Sequence, residues 1–454
     1  MSTKQLTETI TDGGIHLTNF FNGRLLTAED LLTEQTANRQ QHQQLGRAIG
    51  EGIITGLQVE QAASTGAPGA TLTVSAGLAL NRQGQVLSLP VDTDVALVPA
   101  AQQQAADAGL FATCEPPQSM LTPTGKGVYI LVLSPASGFE GRAQMSGLSV
   151  QGVVGPACGS KYAVEGVQFG LVALDVNNLP GISDSTRSQL IQLMLMNDAA
   201  SLSKLRNLLA YACFGTETQQ GFFSDPFQLI NGESPYIAYG ALDALRSIGS
   251  LTDCDVPLAL LYWTLNGIQF VDAWSVRRRL IEPAVTAHWP LLLGDRRAGE
   301  AEAMFLQFEE QIHDIRTKES NLASLVVTQR FAYLPPVGLL PIVGSILLPI
   351  PASGSPVGFD VQTFFSSLAS QDVALTDGNL LRSLQHEALY HEPIDLSTTT
   401  RIQLYLIWEN IKAIEAQKSS QLALVFASHT LPYQGVARFG YAHWHLSRFA
   451  PLVI

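Results

Sequence analysis

The amino-acid sequence predicts an α+β fold in which helices and antiparallel strands occupy separate stretches of the chain. Two observations carry this prediction: apolar and polar residues alternate over 53–98 and again near 402–427, whereas a helical period begins at Ser183. We predict an N-terminal helical arm with an antiparallel β-sandwich or barrel, a mixed helical middle domain with a β-hairpin, and a C-terminal α+β domain with a small β element, over residues 1–180, 181–348 and 359–454.

The first predicted element is a long polar helix over residues 28–49. Thr27 is a suitable N-cap, and Glu29 and Asp30 place two carboxylates at the positive end of the helix dipole. Residues 34–44 are almost entirely polar, which is typical of a helix that bridges solvent or packs through its amide side chains. The helix is roughly 33 Å long at about 1.5 Å per residue. It is either a plain surface helix or an element that meets another subunit.

A meander of short antiparallel strands is predicted after this helix, over residues 53–98. The segment 81–84, Asn-Arg-Gln-Gly, is typical of a turn between two of them. Two further strands are predicted at 128–133 and 167–176, separated by a glycine-rich segment around 138–159. These strands complete the predicted N-terminal β unit.

Helices and one hairpin are predicted in the middle of the chain. One or two helices follow residue 183, with a break near Asn197-Asp198, and a later apolar stripe predicts a helix from about 301 to 326. Asn266-Gly267 lies between two apolar runs over 260–271, which predicts a two-residue type I′ hairpin with positive φ at both central positions.

Prolines and glycines organise the last third of the chain. The proline-rich segment 331–341 predicts a rigid extended connector, and 349–358 has the composition of a linker. Beyond the linker, strands are predicted at 402–408, 422–427 and 441–449.

Four segments around the first helix form a recognisable arrangement: FNGR at 21–24, LTAEDL at 26–31, GIITGL at 52–57, and the strand run from LTVSAGLAL to GQVLSLP at 72–90. This arrangement resembles the amino-terminal module of proteins in the baseplate and tail apparatus of contractile phages and of phage-tail-like contractile injection systems. The resemblance covers about the first quarter of the chain and includes no active-site signature. It implies a non-enzymatic structural subunit, at the baseplate or attached to it.

Such a subunit acts through contacts with other proteins of the particle. We expect its partners to be baseplate, sheath or tube proteins and further copies of itself. The polar helix offers no apolar face to its own chain, so we expect the arm to contribute to the interface. The candidate interface residues are Phe20, Phe21, Arg24, Glu29, Asp30, Arg39 and Gln43. A receptor-binding or fibre-type adhesin of the same particle is the alternative, with Trp408, Tyr441 and Trp444 as candidate contact residues.

Composition supports large interfaces. Only 14% of the residues are charged, against about 25% in average soluble proteins, so we expect the chain to self-associate or to need partners for solubility. The most apolar stretch, 334–350, contains four prolines and predicts no membrane span. The amino terminus lacks the basic and apolar regions of a signal peptide, which predicts assembly in the cytoplasm before the chain joins a particle. A net charge of −13 argues against nucleic acid as a partner.

Histidine pairs are the strongest candidates for metal chemistry, and neither has convincing spacing. His386 and His391 flank Glu387 but lie five positions apart, roughly 140° around a helix, whereas zinc-protease helices place two histidines four apart. His443 and His445 would share one face of a strand, and a third histidine, His429, could complete a site. We favour polar surface histidines and predict no metal and no cofactor.

Other patterns also favour structural roles. The sequence contains no P-loop and no Gly-x-Ser-x-Gly elbow, and the pairs Asp253/Asp255 and Asp372/Asp377 lack calcium-loop spacing. The segment Arg277-Arg278-Arg279 is interpreted as a salt-bridged turn rather than a phosphate site. We expect the aromatic residues around the hairpin to pack rather than to bind sugar; they are Tyr262, Trp263, Phe270 and Trp274. We expect the four widely spaced cysteines to be free thiols; they are Cys114, Cys158, Cys213 and Cys254. A hydrolase would require an unrecognised constellation around His386, Glu387 and His391, so we predict that the chain is not an enzyme.

Overall fold

Helices and antiparallel sheets confirm the predicted α+β class. The computed structural model describes residues 14–62, 71–97, 127–144, 158–179, 182–196, 198–217, 240–264, 266–280, 295–343, 358–366, 368, 373–389, 391–398 and 401–428. The helices are α1 (Ala28–Ile49), α2 (Asp184–Leu195), α3 (Ala199–Cys213), α4 (Ala241–Ser247), α5 (Asp295–Lys318), α6 (Val327–Arg330), α7 (Val361–Phe364), α8 (Gly378–Ala388) and α9 (Trp408–Glu415). The strands are β1 (Gly52–Gly56), β2 (Val59–Gln61), β3 (Thr71–Val74), β4 (Gly77–Leu80), β5 (Val86–Leu89), β6 (Thr93–Ala96), β7 (Gly127–Gln144), β8 (Cys158–Leu174), β9 (Val256–Thr264), β10 (Gly267–Asp272), β11 (Tyr333–Leu334), β12 (Val337–Ile342), β13 (Val373–Thr376), β14 (Ile394–Asp395), β15 (Ile402–Ile407) and β16 (Leu422–Ser428).

Helix α1 has the bounds that its sequence predicts, because local hydrogen bonds determine both ends. The Thr27 hydroxyl accepts a hydrogen bond from the backbone N–H of Asp30, and the Asp30 carboxylate accepts one from the backbone N–H of Thr27, which forms a capping box. Gly50 ends the helix with a φ of 120°, and its N–H donates to the carbonyl of Gly46. Both signals lie within a few residues of the helix ends.

The predicted meander over residues 53–98 instead forms two three-stranded antiparallel sheets, in the orders β1-β4-β5 and β2-β3-β6, which we call the N-terminal β unit. The period-two pattern is confirmed in β3, where Leu72 and Val74 are fully buried and the two threonines are partly exposed. The predicted turn at Asn81 joins β4 to β5, and Gly84 within it has a φ of 76°. The two sheets share one apolar core.

A four-stranded antiparallel sheet of order β10-β9-β7-β8 is buried on both faces along residues 128–133 of β7. In β7, Tyr129 and Leu131 pack into the core of the N-terminal β unit, whereas Val128 and Ile130 pack against the helices that follow. Burial on both faces explains the continuous apolar run at the start of β7, because neither side of the strand meets water. This sheet therefore connects the N-terminal β unit to the middle of the chain.

One prediction about this sheet needs correction. Strands β7 and β8 are much longer than predicted, since pairing continues into the glycine-rich segment as far as Gln144 opposite Cys158. The glycines there fit an extended ladder because hydrogen bonding between backbones does not depend on side chains. The predicted boundary at residue 180 also passes through this sheet, since β7 pairs with β9 from the following domain. The three-domain division stays a prediction, but this sheet crosses its first boundary.

The hairpin of β9 and β10 is confirmed, but its turn differs from the predicted type I′. Gly267 pairs with Thr264 instead of occupying the turn centre, and the ladder is irregular between Ile268 and Phe270. Gly267 has a φ of 95°, whereas the φ of Asn266 is not positive. A glycine with positive φ just after the turn is typical of a turn followed by a β-bulge.

Replacing Gly267 with valine should lower the free energy of unfolding by about 1 kcal/mol, because a β-branched residue is strained at positive φ. Among the described residues no atom lies within 4 Å of the position of a new Cβ, so we attribute the expected cost to backbone strain. Gly138→Val is the matched control, since Gly138 has equal space in a strand without positive φ. Thermal and urea unfolding compare the two variants, and equal stabilities would contradict this assignment of the turn.

The helices of the middle region follow the prediction with one change of length. The predicted break lies between α2 and α3, where Asp198 caps α3 by accepting hydrogen bonds from the N–H groups of Ala200 and Ser201. Helix α5 carries the predicted apolar stripe but ends at Lys318, not near residue 326. A short 3-10 turn at Leu322–Ser324 and helix α6 occupy the following residues.

The C-terminal sheet has the order β12-β16-β15-β13, in which β13 and β15 are parallel. The predicted extended connector supplies β11 and β12, so it belongs to sheets instead of spanning free space. Pro341 fits because β12 is an edge strand. The strands predicted near 402 and 422 are confirmed. The strand predicted at 441–449 and nearly all of the predicted linker at 349–358 lie outside the described residues.

The cysteines differ in part from the prediction. Cys213 is a free buried thiol, and burial raises its pKa to about 12. Cys254, by contrast, is disulfide-bonded, so the expectation of four free thiols is wrong. Cys114 lies outside the described residues, as does the side chain of Cys158.

Candidate assembly interface

The clearest candidate for a functional surface is the amino-terminal end of the arm. The segment leading to α1 and the first turns of α1 expose a series of large apolar side chains. Leu25 is 89% exposed and Phe21 is 62% exposed, which is unusual for side chains of this size within one short segment. We call this set the arm surface; its members are Leu17, Phe20, Phe21, Leu25, Leu26, Leu31 and Leu32.

Hydrogen bonds hold the arm surface in one conformation. Arg24 forms an ion pair with Asp30, and its guanidinium also donates to the carbonyl of Asn19 at 2.7 Å. The Thr18 hydroxyl donates to the carbonyl of Asp30 at 2.8 Å, which fastens the segment along the helix. The Arg24 guanidinium also lies 5.9 Å from the ring centroid of Phe21. The apolar side chains are therefore presented by a structured segment.

The predicted interface residues have unequal roles in this geometry. Phe20 and Phe21 belong to the arm surface, and Glu29 is exposed beside it. Arg24 and Asp30 bind each other, so they position the surface rather than remain open for a partner. Hydrogen bonds from the backbone and side chain of Thr27, together with the charge of Arg24, lower the pKa of Asp30 and keep it ionised.

Arg39 and Gln43 lie further along α1 and face the body of the protein. Arg39 donates two hydrogen bonds to Glu165 of β8, at 2.7 and 3.1 Å. Gln43 lines an open groove between α1 and the strands β5 and β8. Arg39 therefore connects the arm to its own chain, while the intersubunit role predicted for both residues stays a prediction.

The carboxyl-terminal end of α1 docks through a close backbone contact. Gly46 and Gly84 approach so closely that a Cβ on Gly46 would overlap the carbonyl oxygen of Gly84. Arg47 adds hydrogen bonds to the backbone and side chain of Gln83, at 3.1 and 2.6 Å. Only Ala37 and Gly46 are buried within the helix. The arm is thus fixed at its carboxyl-terminal end, while its amino-terminal end carries the exposed apolar surface.

The side chains of the arginine segment 277–279 bind groups of the same chain, in agreement with the interpretation as a salt-bridged turn. Arg277 is buried and donates to the carbonyl oxygens of Gly56 and Leu57, at 2.5 and 2.6 Å. Arg278 forms a buried ion pair with Glu300, and Arg279 forms an exposed one with Glu302. Together they hold the N-terminal β unit against the middle of the chain.

The other candidate residues that the structure describes form hydrogen bonds or packing contacts within the chain. Asp255 is buried and accepts hydrogen bonds from Ser134 and Thr252, while Asp377 caps α8. Tyr262 and Phe270 pack against each other in a core, with ring centroids 5.7 Å apart, as the packing interpretation requires. Trp408 is 44% exposed at the start of α9, beneath the ammonium group of Lys412.

The histidine candidates show no metal geometry in the part that is described. His386 lies in the last turn of α8, and His391 follows the end of that helix. Among the described residues, no group of three or more His, Cys, Asp or Glu side chains is arranged to hold a metal ion. His429, His443 and His445 lie outside the described residues, together with Asp372, Tyr441 and Trp444.

No protein-family model matches the chain, and no curated protein matches it significantly. Within the described ranges, no helix is both long enough and apolar enough to cross a membrane.

Sequence reasoning missed five leucines of the arm surface, although a signal was available. Leu25-Leu26 and Leu31-Leu32 are two apolar pairs beside a predicted polar helix. Adjacent residues on a helix point in directions about 100° apart, so Leu31 and Leu32 cannot both face one narrow buried stripe. Of the large apolar residues in this segment, only the aromatic ones, Phe20 and Phe21, were predicted as interface residues.

Proposed function

We propose that this chain is a structural subunit of a contractile, phage-tail-like particle, located at the baseplate or attached to it, and that the arm surface binds another subunit. The observation that carries the proposal is the exposed apolar arm surface on a capped and hydrogen-bonded segment. The resemblance of residues 21–90 to the module of such particles supports the same function. An apolar surface of this kind is typical of a protein–protein interface.

The geometry explains how the arm could serve this role. Its carboxyl-terminal end is fixed by the Gly46–Gly84 contact, and the Arg39–Glu165 pair prevents it from swinging freely. Because the segment is already ordered, binding a partner costs little additional conformational entropy. The partner therefore meets a surface that is rigid before it binds.

Charged substitutions in the arm surface should prevent incorporation into particles. Leu25→Asp combined with Leu32→Asp places two carboxylates in an apolar contact, where an unpaired charge is costly. The fold should persist, because both side chains are exposed in the free chain. Particles prepared from cells that make the chain are imaged by electron microscopy, and their content of this protein is measured by mass spectrometry.

Leu195→Asp is the matched control, since Leu195 is 83% exposed at the end of α2, away from the arm. We expect the control to be incorporated normally and the double variant to be lost from particles. Normal incorporation of the double variant would contradict the role of the arm surface. The absence of sheath, tube and spike genes next to the gene for this chain would argue against the particle itself.

A further inference from the structure

Strands β7 and β8 continue as a two-stranded ribbon beyond the four-stranded sheet. Strand β9 covers β7 only as far as Leu133, opposite Val256, whereas the pairing of β7 with β8 continues to Gln144. We call residues 134–144 and 158–168 the β-ribbon. It is roughly 35 Å long at about 3.3 Å per residue. Two strands alone are marginally stable in water, so we expect a further contact to stabilise a ribbon of this length.

The two edges of the β-ribbon differ in their capacity to pair with another strand. On β7, Gly141 has a φ of 67° and is missing from the ladder, so this edge is interrupted. Such irregularities are a common way to block pairing at an edge. Lys161 of β8, opposite Gly141, is also missing from the ladder, but β8 has no residue of positive φ over the same stretch, and among the described residues it is an edge strand of its sheet. All seven residues from 160 to 166 are exposed.

The exposed part of β8 is complementary to itself. If two copies pair antiparallel about a two-fold axis through Ala163, Lys161 of one copy lies opposite Glu165 of the other, and the reverse pair forms by symmetry. Glu165 accepts hydrogen bonds from Arg39 of its own chain through Oε1, which leaves its Oε2 for Lys161 of the other copy. On the other face of the strand, Tyr162 lies opposite Val164. Opposite charges and aromatic–β-branched pairs are both favourable across strands. No like charges meet in this register.

We propose that the β8 edge of the β-ribbon is a homotypic docking surface, at which two copies of this chain pair in antiparallel register about Ala163. The partner copy turns a two-stranded ribbon into a four-stranded sheet and pairs those backbone groups of residues 160–166 that point away from β7. The isologous geometry closes at two copies, because each β8 edge is used by the other. This proposal does not depend on the particle assignment, and its tests use the purified full-length chain.

Charge exchange between two variants tests the register. Lys161→Glu and Glu165→Lys each place like charges opposite one another at both symmetry-related positions, so each variant alone should dissociate at about tenfold higher concentration, or more. An equimolar mixture should associate again, because the carboxylate introduced at position 161 then meets the ammonium introduced at position 165. Sedimentation velocity over a range of concentrations measures the three samples, and circular dichroism confirms that each is folded.

Crosslinking provides a second test. Ala163 lies on the two-fold axis, so Cα atoms of the two copies would be about 4.5–5.5 Å apart, within disulfide range. Ala163→Cys should therefore form a covalent dimer under mild oxidation. Ser160→Cys is the matched control in the same exposed strand, and its two copies would be roughly 20 Å apart. The unsubstituted chain, oxidised in parallel, accounts for its own cysteines.

Formation of dimers by Ala163→Cys alone, together with association of the mixed charge variants, is the expected result. The proposal is overturned if the unsubstituted chain is monomeric at every concentration, if the mixture stays dissociated, or if both cysteine variants crosslink equally. A trimer as the smallest associated species would also overturn it, since a two-fold edge contact closes at two copies.

Discussion

Replacing Arg206 with leucine should lower the free energy of unfolding by about 3–5 kcal/mol, because the substitution leaves a buried carboxylate without its counter-ion. Arg206 is nearly inaccessible and forms ion pairs with fully buried Asp272, with Glu310 at 3.3 Å and with Asp314 at 2.6 Å. Gln307 donates a further hydrogen bond to Asp272 at 3.0 Å. The amide cannot replace the lost positive charge.

An exposed ion pair provides the control for this experiment. Arg187 pairs with Asp184, whose side chain is 96% exposed, so Arg187→Leu should cost no more than about 1 kcal/mol. Urea unfolding followed by circular dichroism gives both values. A cost for Arg206→Leu as small as that for Arg187→Leu would show that Asp272 is not held as an isolated buried charge.

The Glu309→Gln variant should be more stable than the unsubstituted chain at alkaline pH, by about 3 kcal/mol, and nearly equal to it at acid pH. Burial raises the pKa of Glu309 from 4.5 to about 7 in the folded state. The carboxyl therefore binds a proton more tightly in the folded chain, so its contribution to stability is full below pH 4.5 and is lost as the pH rises through about 7. Glutamine carries no charge and removes this loss.

Unfolding by urea at about pH 5 and about pH 8.5 measures the effect on either side of the folded-state pKa. Glu310 also has a raised pKa, to about 8, but it is present in both proteins and cancels in their difference. Glu302→Gln on the same helix is the control, because that side chain is exposed beside Arg279. A pH-independent difference between Glu309→Gln and the unsubstituted chain would contradict the buried position of this carboxyl.

Elements that depend on local chemistry were predictable from the sequence. The capping box at Thr27 and Asp30 determines where α1 begins, and Asp198 marks the break between α2 and α3. The hairpin position followed from two apolar runs around a turn signal, although the turn type did not. Turn type depends on one residue of register, and the sequence near Gly267 is compatible with more than one.

Elements that depend on distant contacts were not predictable. The extension of β7 and β8 through glycine-rich sequence relies on pairing between two backbones, which leaves little trace in residue type. The carbonyl groups that Arg277 binds lie more than 200 residues away in sequence, so no local pattern links them. The pairing of β7 with β9 across the predicted boundary at residue 180 was not predictable either, because the two strands meet only in the folded sheet.

The candidate interface was predicted in part for the same reason. Phe20 and Phe21 were selected because large aromatic residues beside a polar helix are conspicuous in the sequence. The pairing of Arg24 with Asp30 and of Arg39 with Glu165 became evident only once the folded chain had brought these charges together. Charged residues in a sequence do not indicate whether their partner belongs to the same chain.

Site-specific photocrosslinking in assembled particles shows whether the arm surface binds another subunit. A benzophenone amino acid at position 21 would occupy the arm surface, and one at position 195 would report on an equally exposed site elsewhere. After irradiation, we expect position 21 to crosslink to a baseplate, sheath or tube protein, identified by mass spectrometry, and position 195 not to do so. Recovery of particles that contain this chain but give no crosslink from position 21 to another subunit would contradict it.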